Sequence, residues 1–479
     1  MQYVISGRSP SSVFRFFEEI SAIPRASFCE ERIADYLVDF AKARGLFYVR
    51  DKINNVMIRL PATKGQEGKP ALLFQGHTDM VCEKNADTVH DFSKDGLKLY
   101  LDGNLLRAKG TTLGADNGIA VAMMLAILDG ELPSHPTVEC LFTTAEEVGL
   151  NGAMGFDYSH LTARRMVNLD SEELGVVTAG CAGGIRSDLI LDAQTEPFCG
   201  SAICLRIGGL MGGHSGENIN SGRANANKLM GRILASLVPA HGARLISLQG
   251  GSKDNAIPRE CEAVIAVKDA HAAITLANAL GEQIKRELGS DDAGFFLTAE
   301  QTEQPSSMLT KEDGANAIAV IACAANGVLE MSRDVNGLVE YSRNLGVITT
   351  KENQICFVFS ARSSIESRLD ASVQELEALA YVTGCVTKHY SRYPGWDYAK
   401  TSALRDSYLA AYRDVTGKDA VINVIHAGLE CGIIRSKVPD MDMISVGPTM
   451  FDIHSPDEAL DLDATEQFWK TVARLVEIS

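Results

Sequence analysis

Two imidazoles and three carboxylates stand at the ends of apolar runs: His77 in LLFQGHTDM, Asp116 in TTLGADNG, Glu147 in LFTTAEEVG, Asp170 in MVNLD and His454 in SVGPTMFDIHSP. Mixed nitrogen and oxygen donors of this kind suit divalent ions of borderline softness, zinc first among them, and five such residues can hold two ions when one carboxylate spans both. The chemistry that follows is hydrolysis at a paired-metal site. Taken singly, each fragment is weak: Asp116 could cap a helix, and His454 could be an ordinary loop histidine beside Pro456. Their convergence carries the reading.

Neighbouring residues extend it. His77 and Asp79 of GHTD lie two apart in an extended run and share a face, so one can bind metal while the other fixes the imidazole. Glu146 and Glu147 are adjacent after an apolar run, where two like charges are costly unless their tasks divide. One would ligate a metal, and the other would take a proton from a metal-bound water.

The elements that must position these residues come next. SSVFRFFEEISAI and SFCEERIADYLVDFAKARGL repeat apolar residues at three- and four-residue steps, which predicts two amphipathic helices. The β-rich runs VMIRLPA, ALLFQGHTD, VECLFTTAEE and RMVNLD follow, with helical NGIAVAMMLAILDG between the second and third. This alternation predicts a mostly parallel sheet covered by helices, in which ligands collect at the carboxyl ends of strands. His77, Glu147 and Asp170 fall there. Near residue 186 the character changes to α+β, with ICLRIGGL, ANANKLMGRILASLV, ARLISLQGG and AVIAVKD, and a comparable set recurs between about 290 and 392. After YPGW the first pattern returns. The fold class is therefore α/β: a di-metal catalytic domain built from 1–186 and 393–479, and an inserted α+β lid domain over 187–392.

The length of 479 residues is consistent with two or three domains. A formal net charge of −17 argues against nucleic acid as a partner, because phosphate binding needs clustered Lys and Arg. No apolar run reaches the roughly 20 residues of a membrane span. Eleven cysteines without close pairs suggest the reducing cytoplasm rather than a disulfide framework. The N-terminal residues lack the basic and apolar pattern of a secretory signal.

The chain resembles the M20 metallopeptidases, and within them the cytosolic aminoacyl-histidine dipeptidases. The most specific pieces are IPRASFCEE, GHTDMVCEK, LRAKGTTLGADNGIAVA, TTAEEVGLNGA, NLDSEELG with GCAGG, HAGLECGI and ISVGPTMFDIHSPDE. The resemblance implies metal ligation by His77, Asp116, Glu147, Asp170 and His454, with Asp116 as the bridge and Asp116–Asn117 a cis peptide. It implies that Glu146 is the general base and that Asp79 orients the imidazole. In GGHSG it places His214 where relatives polarise the substrate carbonyl. Asn255 in SKDNAIPRE and Arg362 in FSARSS match positions on the substrate's C-terminal side, and Gly428 in HAGLE would offer its backbone. His426 and Cys431 are expected to be structural.

The expected activity is metal-dependent hydrolysis of dipeptides of the Xaa-His kind, such as β-Ala-His. The cofactors would be two divalent ions, zinc with cobalt or manganese as alternatives. A small peptide is the expected partner, a homodimer stays open, and the long lid is expected to let His214 act within its own chain. The rival readings are an N-acyl amino-acid deacylase of the same fold and a non-catalytic protein stabilised by metal.

Overall fold

A computed structural model describes residues 3–478. Two compact units divide the chain. The first comprises the residues up to Gly180, Trp396–Val424 and the residues from Leu429 onward, and the second comprises Cys181–Gly395 with Ile425–Gly428. The breaks differ from the expected 186/187 and 392/393. The strand Gly183–Asp192 pairs along its whole length with Gln354–Ser363, which commits it to the second unit. Ile425–Gly428 joins the same unit, where the Ala182 amide donates to the carbonyls of Ile425 and Ala427 at 3.1 and 3.0 Å.

In the first unit the apolar runs become neighbouring strands of an eight-stranded sheet, ordered 47–50, 56–60, 138–143, 72–77, 165–168, 442–445, 176–181, 421–425. Leu72–His77 pairs in parallel with Val138–Thr143 and Arg165–Asn168, and the latter pairs in parallel with Asp442–Ser445. Strands Leu72–His77 and Val138–Thr143 are buried at every position, as strands covered on both faces must be. The sheet is parallel only in this centre. Phe47–Arg50 and Val56–Leu60 are joined by five residues, too few for a crossover, so they pair antiparallel and carry that sense to the edge. Helix Ala115–Leu128 is apolar on all sides and wholly buried. It shares one hydrophobic core with the helices Ser11–Ser21, Glu31–Ala43, Ala403–Thr416 and Leu462–Ile478.

The second unit is a doubled layer whose halves are nested. Strands 201–208, 244–250, 261–267 and 296–301, with helices 226–241 and 270–287, follow one another as strand, helix, two strands, helix, strand. Strands 183–192, 339–351, 354–363 and 386–393, with helices 311–323 and 366–383, repeat that succession. Within each set the first strand lies between the third and the fourth, and the second flanks the third, which is the split β-α-β arrangement. The two halves join in one continuous sheet at the pair Gly250–Ile348. The recurrence expected between 290 and 392 therefore begins earlier, with Gly183–Asp192. The whole of the other repeat is inserted after that strand, and chain order hides it. Helices from both repeats cover one face, where Leu205, Ile265, Phe357 and Phe359 lie in a common cluster.

Among the described residues no helix is long and apolar enough to cross a membrane. Among the described residues no cysteine is in a disulfide.

Leu205 and Phe357, one in each repeat, are fully buried. Truncating either to Ala should lower the unfolding free energy by about 2–5 kcal/mol, measured by urea denaturation. A loss below about 1 kcal/mol would mean that the cluster is not the core of this unit.

Candidate active site

The central parallel strands deliver their carboxyl ends to one place in the first unit. His77 ends its strand, Asp170 lies just beyond Arg165–Asn168, and Glu146 and Glu147 follow Val138–Thr143. Asp116 stands at a kink at the head of the buried helix, where its own backbone is non-helical (ψ 105°), and the peptide that follows it is cis. His454 sits in the turn between the paired strands Met450–Phe451 and Ala459–Asp461. Left-handed backbone at Ala145 (φ 47°) and at His454 (φ 61°) turns the Glu146–Glu147 pair and the His454 ring out of their chain directions.

The geometry is that of two imidazole–carboxylate pairs sharing a third carboxylate. His77 Nε2 lies 3.1 Å from Asp116 Oδ1 and 3.5 Å from Asp170 Oδ1. His454 Nε2 lies 3.0 Å from the other Asp116 oxygen, Oδ2, and 3.1 Å from Glu147. Three sets of donor atoms, His77–Asp116–Asp170, His77–Glu146–Glu147 and Asp116–Glu147–His454, each fall within 4.8 Å. The five expected ligands and Glu146 are thus brought together, with one Asp116 oxygen on each side.

The donor set fits divalent metal. Two carboxylates at such a separation repel by roughly 3–4 kcal/mol at an effective dielectric of about 20, more than an ordinary hydrogen bond returns. The carboxylate pairs Asp116–Asp170, Asp116–Glu147 and Glu146–Glu147 all stand at this range. The imidazoles respond as cation substitutes. His454 is pushed up to about 10 by hydrogen bonds to Asp116 and Glu147. His77 is raised well above its usual range: complete burial opposes this, but the Asp170 charge and hydrogen bonds to Asp116, Asp170 and Asp79 outweigh it. Burial raises Glu146, and the charges of Asp170, Glu430 and Glu147 add to it against His77. Burial also raises Glu147, opposed by its hydrogen bond to His454.

Asp79 holds two parts of the site at once. It stands 3.4 Å from His77 Nδ1, whose nearer neighbour is the Asp79 carbonyl at 3.1 Å, so Nδ1 is occupied and Nε2 faces the carboxylates. The Asp79 carboxylate also accepts from the amides of Glu146 and Glu147, at 3.1 and 3.3 Å, and from the Ser27 hydroxyl at 2.8 Å.

Two buried charges missed by sequence reasoning fix Asp116. The Glu458 carboxylate accepts from the amides of Leu113, Gly114, Ala115 and Asp116 at 2.7 to 3.3 Å, gathering the turn that leads into the buried helix around one carboxylate. Arg25 donates to the carbonyls of Thr78, Asp79 and Gly114, tying the His77 loop to the Asp116 loop. Gly114 has φ 64°, and a Cβ there would stand 2.4 Å from the Arg25 guanidinium, so the position requires glycine twice over. Both charges were visible in IPRASFCEE and SPDE, but nothing in those strings marks them as buried.

The remaining expected residues lie in the second unit. His214 belongs to a two-residue strand paired with Ala256–Ile257, and the Ser215 amide donates to the Asn255 carbonyl at 2.8 Å, so His214 and Asn255 adjoin. Arg362 donates to the Tyr393 hydroxyl at 3.1 Å, and a Cβ on Gly428 would lie 2.9 Å from the Tyr393 ring. Tyr393, another residue missed in the sequence, thereby links Arg362 to Gly428. His214 is lowered by burial and by the Arg362 charge. His426 lies 2.7 Å from the Ser342 hydroxyl and is lowered to about 3 by burial, with Arg362 adding to it, so its ring is a neutral hydrogen-bonding group.

Comparison with known proteins gives the family of the chain. The model of peptidase family M20/M25/M40 matches residues 73–478. The chain is 39% identical to the cytosol non-specific dipeptidase of Escherichia coli over 477 residues, which covers 99% of this chain and 98% of that protein. Its structure is similar to that of the aminoacylhistidine dipeptidase from Vibrio alginolyticus, with a TM-score of 0.94 and 39% identity over 99% of this chain and 97% of the other. The aminopeptidase PepT from Bacillus cereus shares the fold at a TM-score of 0.56 and 15% identity, covering 97% of each chain.

Replacing Glu458 with Ala leaves four helix-start amides without their acceptor. We expect a loss of about 2–5 kcal/mol in unfolding free energy and about tenfold weaker metal binding, read by denaturation and metal titration. Unchanged metal affinity would show that Glu458 does not position Asp116.

Proposed function

Since the chain belongs to peptidase family M20/M25/M40, we propose that it is a di-zinc dipeptidase that prefers Xaa-His dipeptides. The observation that carries this reading is the Asp116 carboxylate shared between two imidazole–carboxylate pairs, with Glu146 beside His77 and Glu147. His77, Asp170 and Asp116 would hold one divalent ion, and His454, Glu147 and Asp116 the other, with cobalt or manganese able to replace zinc. Bound ions would supply Lewis-acid polarisation of the attacking water and of the scissile carbonyl.

The protein's own groups divide the remaining work. Glu146 accepts the proton of the attacking water and returns it to the leaving amine, a task suited to a carboxyl whose affinity for protons is raised by burial. Asp79 keeps the His77 ring in one tautomer and holds the Glu146–Glu147 turn through two amides. From the second unit, His214 would donate to the carbonyl oxygen as charge develops there. Arg362 would grip the substrate's carboxylate by parallel hydrogen bonds, with Asn255 and the Gly428 backbone alongside.

The printed names of the two 39% identical relatives differ: one is a non-specific dipeptidase and the other an aminoacylhistidine dipeptidase. Cytoplasmic residence is consistent with the name of the first and with cysteines that form no disulfide among the described residues.

Turnover of β-Ala-His, Ala-His, a histidine-free dipeptide and N-acetyl-His tests the substrate class. Both histidine dipeptides should be cleaved faster than the histidine-free one, and N-acetyl-His should resist. Cleavage of N-acetyl-His at the rate of Ala-His would instead make the protein a deacylase.

Glu146→Gln should lower kcat by at least about 100-fold while both metals stay bound, because the amide keeps the shape and cannot take the proton. Glu147→Gln should lose metal together with activity, measured by elemental analysis of the dialysed proteins. Full activity in the first variant would remove Glu146 as the base.

A further inference from the structure

Directly behind the ligand row, the central strands of the sheet carry a cluster of buried polar side chains. Gln75, Thr143, Asn168 and Glu430 are all fully buried. Gln75 lies two residues before His77 and Asn168 two before Asp170, so each shares a strand face with the ligand above it or points along the same path. Gln75 and Asn168 are registered partners in adjacent parallel strands, and Thr143 is the registered partner of His77. Asn168 Nδ2 donates to Gln75 Oε1 at 2.6 Å, and Gln75 Nε2 donates to Thr143 Oγ1 at 3.1 Å. This chain of amides and hydroxyl ends on Glu430, the first residue of helix Glu430–Lys437, whose Oε2 accepts from Gln75 Nε2 at 2.5 Å and from Thr143 Oγ1 at 2.7 Å.

Buried polar groups are costly to leave unbonded, so the hydrogen bonds that this cluster does make hold its members in fixed relative positions. They join the three strands whose ends bear His77, Glu146 with Glu147, and Asp170. We propose that Glu430 is a positioning residue for the metal centre, clamping those strands in register through one acceptor oxygen. Both donors land on Oε2, while Oε1 is buried without a partner. Burial pushes the Glu430 acid up to about 7 against the opposing effects of His77, Thr143 and Gln75, in keeping with a group that serves by accepting hydrogen bonds rather than by its charge. Glu430 contributes no ligand atom to any of the donor sets.

The inference rests on the functional reading only in taking the site to hold metal. Its test compares Glu430→Leu, which removes the acceptor, with Glu430→Gln, which keeps an acceptor oxygen and removes the charge. Zinc affinity is read by competition with a chromogenic chelator, and ligand geometry by the visible spectrum of the cobalt-loaded protein. Glu430→Leu should weaken zinc binding by about 10–100-fold, alter the cobalt spectrum and lower kcat with KM changed less than about twofold, whereas Glu430→Gln should recover zinc affinity to within about threefold of wild type. Wild-type affinity and spectrum in Glu430→Leu would overturn the proposal. So would a Glu430→Gln protein as impaired as Glu430→Leu, because charge rather than acceptance would then be acting. Should Glu430→Leu fail to fold, Thr143→Val removes one of the two donors and is read in the same way: an unaltered cobalt spectrum overturns the clamp. Absence of dipeptide hydrolysis in the wild type would sink the functional reading and leave these metal measurements intact.

Discussion

One carboxylate with a different neighbour on each oxygen sets the terms for the whole first unit. Asp116 must face His77 with Oδ1 and His454 with Oδ2, amid the carboxylates of Asp170 and Glu147 that repel it. Such a group cannot be placed by a flexible side chain. It is placed by backbone: Glu458 takes the amides at the start of the Asp116 helix, and Arg25 holds the carbonyl of Gly114. Arg25 and Glu458 bond to backbone groups of the same turn, and the Glu458 charge offsets part of the burial of Arg25.

The sheet then has to bring the other ligands to that point. Parallel pairing does this without further devices, since adjacent strands end at the same edge and their following loops share one space. His77, the two glutamates and Asp170 are successive examples. The strand Leu72–His77 also lies tight against the Asp116 helix: a Cβ at Gly76 would stand 2.7 Å from the Ala120 side chain. Close packing at Gly76 and the Gln75–Glu430 hydrogen bonds act on the same strand from different sides, so His77 has little freedom of height or rotation. Asp79 completes the restraint by linking the His77 ring to the Glu146–Glu147 turn. Ligand positions in this protein are therefore consequences of strand register and of the backbone turn held by Glu458 and Arg25 before they are consequences of side-chain rotamers.

Much of this was legible in the sequence, for a definable reason. Apolar runs ending in His or acid, such as LLFQGH and MVNLD, report both the strand and the place where it stops, and the spacing of His77 and Asp79 reports a shared face. The hidden parts are those for which sequence carries no sign of depth. Arg25, Glu430 and Glu458 read as surface charges, and only long-range contacts of the folded chain reveal them as buried. The antiparallel edge of the main sheet follows from a five-residue connection, and the nested repeats of the second unit follow from pairing between distant segments; neither alters local periodicity. His214, Asn255, Arg362 and Gly428 were reached through family resemblance, because a histidine between glycines or a lone arginine says nothing by itself. Tyr393, which touches two of these positions, had no such guide.

The most direct measurement is anomalous diffraction from crystals of the zinc-loaded protein. Two peaks about 3.5–4 Å apart are predicted, each bound by one oxygen of Asp116, with His77 and Asp170 on the first ion and His454 and Glu147 on the second. A single peak, or two ions of which only one touches Asp116, would contradict the shared-carboxylate centre.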